Sequence, residues 1–380
     1  MMTNAGTKRI FISDIHMGDE RSQAGPNPYG WFRKNIPHLA NFLNEQLNAQ
    51  EVAEVVILGD LFDEWVIPTE QDPLTSFRDI CNNPSNSPLI DGLRQLAARG
   101  ILTYVPGNHD MTLSTTDPEG NQNFMQQNFP GIRYQADGVY RRGRLVAEHG
   151  HCYCLFNAPG KWTKLPSLLP LGYFLARMGA YKVSKTGIKK DYYDILRDSI
   201  KQYRERPTFV EDRFVKEVYE EVAHFAGLKD TDTIDMSGID GFPTDSVGDI
   251  GSLYERLINE WKEKRKDLKW EIALVGDSAR ELYPAAGHIY SNKGFNIVIF
   301  GHTHNWSLEL LLFPHAAPEA QVTRFALTFP AIYANSGAWI DKAPCCTYVE
   351  TWEDAAAGRH YVRVLNYPAK KMLGERSVKL

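Results

Sequence analysis

Five short clusters along the chain carry residue types that bind divalent cations: Asp14-x-His16, Gly59-Asp60-x-x-Asp63, Asn108-His109-Asp110, His149-Gly150-His151 and His302-x-His304. Carboxylate, amide and imidazole together form a donor set that accepts Mn, Fe or Zn according to supply. Asp60 is the natural centrepiece. Its carboxylate has two oxygens, so it can hold one cation on each, with the cations about 3.5–4 Å apart. Such a pair suits hydrolysis, because the cations neutralise developing negative charge and lower the pKa of a shared water to give hydroxide near neutral pH. His109 is suited to protonate the departing oxygen, with Asp110 fixing its ring and raising its basicity. His151 reads equally well as a substrate contact or a structural residue. A single Asp-x-His or rim histidine needs no metal to explain it, but the same residue types recurring after strand upon strand do.

Each cluster must be positioned by the apolar run before it. Lys8–Ser13, Val55–Leu58, Ile101–Val105, Arg144–Glu148 and Phe295–Phe300 are predicted strands, and sites in open α/β sheets form at the carboxyl ends of strands. Strand alternation turns residues 14 and 16 to one side, and Pro106-Gly107 bends the chain so that three polar side chains follow at one edge. Helical spacing is read from Trp31 to Leu47, and Leu93 to Ala98 is the end of a second helix stopped by Gly100. Together these give β-α-β units. Later runs within Leu308–Phe313, Ile332–Ala334, Thr347–Glu350 and Tyr361–Leu365 are strand-like and are expected to build a second sheet packed on the first.

From His149 to His302 is 153 positions, far more than a crossover needs. Apolar residues at helical spacing fill it: Val210, Phe214, Val218, Val222 and Phe225; Leu253, Leu257, Ile258 and Trp261; and Tyr192, Ile195, Leu196, Ile200 and Tyr203. The expected organisation is a core from 1–155 and 290–380 with an inserted helical cap at 156–289. Within it, residues 230–249 hold six aspartates and no Lys or Arg, which reads as a surface loop.

The ordered set of Asp14-x-His16, Gly59-Asp60-x-x-Asp63, Gly107-Asn108-His109-Asp110, His149-Gly150-His151 and Gly301-His302-x-His304 resembles the calcineurin-like metallophosphoesterase superfamily. The resemblance implies an α/β fold, a four-layer αββα sandwich of two packed mixed sheets. It also implies a dinuclear centre, with Asp14, His16, Asp60 and His304 on one metal and Asp60, Asn108, His149 and His302 on the other. Asp63 then takes a supporting place behind the ligands. Gly59–Trp65 and the late Asn335-Ser336-Gly337-Ala338-Trp339 are similar to the branch containing UDP-2,3-diacylglucosamine pyrophosphohydrolase. That enzyme carries Arg where this chain has His109, and its central insertion is shorter.

Composition narrows the remaining choices. With 380 residues, 43% hydrophobic and 23% charged, the chain is an ordinary globular protein. A formal net charge of −5 offers no general attraction to nucleic acid, so stable nucleic-acid binding is not expected. Five cysteines do not read as a disulfide framework, and the polar start from Met1 to Arg9 lacks the apolar core of a secretory signal; the expected location is a reducing cytoplasm. The stretch 161–190 combines seven Lys and Arg residues and no acid with the apolar run Leu165–Ala176. It is read either as a helix packing on the core or as a peripheral contact with anionic lipid. The expected partner is a phosphorylated substrate, amphipathic or nucleotide-linked. The alternatives are a nuclease or a Ser/Thr phosphoprotein phosphatase of the same superfamily, and a non-catalytic scaffold.

Overall fold

The computed structural model describes residues 7–114, 121–159, 169–188, 211–237, 239, 242–274, 282–311 and 330–380. Its strands are β1 (Lys8–Ile12), β2 (Val52–Leu58), β3 (Leu102–Val105), β4 (Arg133–Tyr134), β5 (Val139–Arg142), β6 (Leu145–Glu148), β7 (Ile297–Phe300), β8 (Trp306–Leu311), β9 (Ala331–Ser336), β10 (Thr347–Asp354), β11 (Arg359–Asn366) and β12 (Lys371–Lys379). They form a seven-stranded sheet in the order β12-β11-β10-β1-β2-β3-β4 and a five-stranded sheet in the order β5-β6-β7-β9-β8. Both are mixed: β1, β2, β3 and β4 run parallel while β10 to β12 pair antiparallel, and β6, β7 and β9 run parallel between antiparallel β5 and β8.

Why two sheets rather than one is written in the strands themselves. An uninterrupted apolar strand is buried on both faces. In β2, Val55 and Ile57 pack against the helices Ile36–Asn48 and Ser87–Ala98, while Val56 and Leu58 meet the second sheet. In β7 the division repeats, with Ile297 and Ile299 between the sheets and Val298 and Phe300 packed toward the helix Tyr283–Lys293. The result is an α/β sandwich with helices outside both sheets. Each such side chain contributes roughly 1.5–3 kcal/mol when fully buried, so a one-residue register slip would disrupt two cores together.

Four details differ from the sequence reading. The late strands divide: β8 and β9 join the second sheet, whereas β10 to β12 extend the first through β1. The helix expected from Trp31 starts at Ile36, with Pro in its first turn, leaving Trp31 and Phe32 in the preceding loop. The acidic stretch is not all surface loop, since Ile234 is buried, Thr233 bridges Ser246, and a helix capped by the Ser246 side chain begins at Val247. The helix Tyr283–Lys293 crosses the boundary drawn at 289 and packs Ala285, Ala286 and Ile289 into the same cluster as Val298 and Phe300.

Between β6 and β7 lie the further helices Leu171–Thr186, Glu211–Ala226, Val247–Leu253, Leu257–Lys264 and Trp270–Ala273. The face read at Tyr192–Tyr203 and Val210 lies outside the described residues, as do 161–168 and 189–190. In the described part of 161–190 the apolar residues Leu169, Leu171, Tyr173, Phe174 and Leu175 are buried. These residues pack in the core, while Ile188 at the end of the described part is exposed. No helix among the described residues is long and apolar enough to cross a membrane.

Candidate metal centre

The clusters converge at one rim, but by a backbone device that strand alternation does not foresee. β1 ends at Ile12, so Asp14 and His16 lie beyond it, and both have left-handed backbone, with φ of 54° and 56°. Asp60, His302 and His304 do too, with φ of 52°, 71° and 57°. Among the described residues, five of the seven non-glycine residues at positive φ are therefore expected ligands. Such conformations cost of order 1–3 kcal/mol each and persist where surrounding structure enforces them, typically at functional sites. Close packing of the turns enforces them here. Gly59 sits at φ 76°, and a Cβ there would strike Gly107 and the His149 ring; one on Gly301 would strike Ser13 and the Asp14 carboxylate.

Two groups of donor atoms result, Asp14–His16–His304 and Asp60–His149–His302, each with its ligand atoms within 4.8 Å of one another. Asp60 joins them. Its Oδ2 lies 3.1 Å from His149 Nε2 and 3.7 Å from His16 Nε2, while its Oδ1 accepts the His109 backbone N–H at 2.9 Å. One oxygen faces both groups, which replaces the expectation of one cation on each oxygen. Asn108 Oδ1 stands 3.0 Å from His149 Nε2. Asp14 Oδ1 lies 3.4 Å from His304 Nε2, and the His16 and His304 Nε2 atoms are 3.1 Å apart. All seven expected ligands, Asp14, His16, Asp60, Asn108, His149, His302 and His304, are thus brought to one place.

The supporting residues were less legible. Asp63 Oδ2 holds His16 Nδ1 at 3.1 Å and its Oδ1 holds His109 Nδ1 at 2.9 Å, while Oδ1 also accepts the backbone N–H groups of Trp65 and Val66. The His16–Asp63–His109 group is therefore a carboxylate orienting two rings. Asp110 does not steer His109, contrary to the sequence reading: its carboxylate accepts the N–H groups of Leu61, Phe62 and Gly107 and so ties the turn after β2 to the turn after β3. His151 lies behind the ligands, its ring 5.4 Å from that of His149 and 6.4 Å from that of His302. Sequence reasoning missed three neighbours. Trp65 stacks on His109 at 4.5 Å, Trp31 stands 4.8 Å from the His16 ring, and the Asn157 amide Nδ2 approaches His302 Nε2 to 3.4 Å. Trp65 alone had a signal, its place in the Gly59–Trp65 motif. The late Asn335–Trp339 segment braces the site: Asn335 donates to Gly301 O at 2.7 Å, Ser13 Oγ donates to Gly337 O at 3.0 Å, and Trp339 N donates to Asp14 O at 3.0 Å.

The family model described as calcineurin-like phosphoesterase matches residues 7–306. The chain belongs to the calcineurin-like phosphoesterase family. No curated protein matches it. It is accordingly a metallophosphoesterase, a metal-dependent hydrolase of phosphate esters, and its donor atoms fit that chemistry. His16 and His149 give their Nδ1 protons to Asp63 and to Leu58 O (2.7 Å), which turns both Nε2 atoms inward. Asp14 Oδ1 is buried without a hydrogen bond. Carboxylate oxygens and imidazole nitrogens thus crowd one buried place, a donor set that bound cations would satisfy.

Charges in this phosphoesterase site are tuned by burial against neighbours. Burial opposes ionisation of Asp60, but His149, His109 and His16 hold its pKa well below the usual carboxylate range. Asp63 is likewise depressed, against burial, by His109 and His16. Burial and then His149 push His302 well below an ordinary histidine, leaving it a neutral donor. Burial would also lower His149, but Asp60 and Asp14 outweigh it and raise its pKa to about 9. His109 is raised, against burial, by Asp63 and Asp60. Burial, then Asp60, lifts Asp110 to about 6.

Proposed function

We propose that the chain hydrolyses a phosphodiester, phosphoanhydride or phosphomonoester at a dinuclear centre. The observation that carries the reading is Asp60 Oδ2 standing between the two donor groups. In this reading Asp14, His16, Asp60 and His304 hold one cation, and Asp60, Asn108, His149 and His302 hold the other. When bound, the cations supply Lewis acidity and a lowered water pKa. Asp63 keeps His16 and His109 in fixed tautomers by accepting their Nδ1 protons. That leaves the His109 Nε2 proton for the departing oxygen, and Asp63 and Asp60 favour the charged ring against burial. Asp110 holds the turns that carry Asp60 and Asn108.

The finer placement beside UDP-2,3-diacylglucosamine pyrophosphohydrolase is supported by the Gly59–Trp65 and Asn335–Trp339 motifs. It makes a nucleotide-linked anhydride the first natural substrate to try. The test is a screen of phosphomonoesters, phosphodiesters and nucleoside-diphosphate-linked compounds with Mn, Fe and Zn, using Asp60→Asn as the blank. Turnover that requires metal and vanishes in the blank is expected. Wild-type and Asp60→Asn protein with equal turnover would refute the reading.

A further inference from the structure

Arg177 lies on the helix Leu171–Thr186, far from every ligand motif in the sequence, and its side chain is 0% exposed. Among the described residues no carboxylate stands within ion-pair distance of it. Its guanidinium is spent on carbonyls instead. Nη2 donates to Pro68 O and Thr69 O, both at 3.1 Å, and Nη1 donates to Asp235 O and to the Tyr173 hydroxyl at 3.2 Å. A buried cation is costly unless neighbouring charge and hydrogen bonds offset it. Arg177 feels the Asp235 carboxylate, and among the described residues its Nε has no hydrogen-bond partner. The bonds from its two terminal nitrogens converge on the segment that leaves the Gly59–Trp65 motif. Asp235 N, on Thr69 O at 2.6 Å, closes the same knot.

That segment carries Trp65. The indole is fixed at its start by Asp63, which accepts the Trp65 and Val66 N–H groups, and at its far end by the Arg177 clamp on residues 68 and 69. From the side the Tyr173 ring meets it edge-on at 6.0 Å. Its opposite contact is His109, with the rings 29° from parallel. Asp63 fixes one nitrogen of His109, the His16 ring meets it edge-on at 4.5 Å and Trp31 stands at 5.5 Å. Among the described residues the Trp65 indole is the one ring stacked on its face, where it limits tilt about the Asp63 bond.

We infer that Arg177, with Tyr173, is a positioning residue for proton delivery: the helix between β6 and β7 holds Trp65 against His109 and thereby aims the His109 proton at the leaving oxygen. The inference rests on the hydrolase reading above. As the oxygen of water forms its bond to phosphorus and the bond from phosphorus to the leaving oxygen breaks, that oxygen takes the Nε2 proton of His109 and departs as the neutral alcohol, and the proton released by the water restores the ring through solvent. A leaving group that departs readily as an anion needs no such proton.

The test compares two phosphodiesters that differ only in the leaving alcohol, 4-nitrophenol or a simple alkanol, with Arg177→Met and Tyr173→Phe. Arg177→Met is expected to lose about 10–100-fold in kcat on the alkyl substrate, a fraction of what a general acid contributes. On the nitrophenyl substrate it should change less than about threefold, with metal content unchanged. Tyr173→Phe keeps the buried ring and every aromatic contact and should shift the ratio the same way by a few-fold. It decides the matter if Arg177→Met does not fold. Equal losses on both substrates, or an unaltered ratio in a folded variant, would overturn the inference. Wild-type protein that binds metal and cleaves neither ester would instead remove the hydrolase reading beneath it.

Discussion

The rim on the seven-stranded sheet and the rim on the five-stranded sheet meet at the centre with different chemistry. The first, from β1, β2 and β3, brings Asp14, Asp60, Asp63 and Asp110 along with His16, Asn108 and His109; the second, from β6 and β7, brings only imidazoles, His149, His151, His302 and His304. On one side buried carboxylates need positive charge nearby. On the other, buried imidazoles crowd one another, and His302 is pushed well below an ordinary histidine by burial and by His149. Each rim is incomplete, and cations between them would fasten sheet to sheet. Metal binding and the stability of the sandwich should therefore be linked.

Breaking the shared oxygen should have the largest effect. Asp60→Asn keeps the shape of the side chain and removes its charge, and a loss of at least about 10³-fold in metal-dependent turnover, together with bound metal, is expected. Removing one imidazole from the second rim should separate the two donor groups. His302→Ala and His304→Ala are each expected to halve the metal content measured by elemental analysis, since they belong to different groups. If either variant retains both ions with full turnover, the assignment of that ligand fails.

Asp63→Asn sharpens the comparison on the acidic side. It should cost about 10–100-fold in turnover while both ions remain, the usual effect of a residue that orients a ligand. Stripping the metal should then expose the mismatch as a pH dependence of stability. His149 has its pKa raised from 6.5 to about 9, so in metal-free protein its stabilising contribution is complete below pH 6.5 and fades as pH rises toward 9. The size is on the order of 1–3 kcal/mol. Burial raises Glu64 from 4.5 to about 8, against the bond from Thr112, and adds a loss of the same sign. Metal-loaded protein should show the opposite trend, because ligation needs the neutral imidazole. Thermal unfolding between pH 6 and 9.5, with chelator and with added Mn, reads both slopes; parallel slopes would contradict the linkage. The smallest effect is expected for Asp110→Asn, a stability loss of about 1–3 kcal/mol from weakened bonds to the Leu61, Phe62 and Gly107 N–H groups, with turnover within about tenfold of wild type.

Much of this was legible before any coordinates. The donor types and the strand that delivers each follow from apolar runs ending in Asp, Asn or His, and the helical material between His149 and His302 follows from apolar residues at helical spacing. The left-handed turns at Asp14 and Asp60 were not, because Asp tolerates positive φ better than most residues without requiring it; the turns go with the close approach of Gly59 to Gly107 and of Gly301 to Asp14. Strand membership was also hidden. β10 resembles β9 in its apolar run, and only long-range pairing with β1 places it in the other sheet. The roles of Asp63 and Asp110 were confused because sequence adjacency favoured Asp110 as the partner of His109. The fold instead brings Asp63 to the ring across 46 positions and turns Asp110 onto backbone amides.

Anomalous diffraction from crystals grown with Mn²⁺ tests the central claim most directly. Two peaks about 3.5–4 Å apart, both touching Asp60 Oδ2, one beside His16 and His304 and the other beside His149 and His302, are the expected result. A single peak, or a pair that does not share Asp60, would contradict the account.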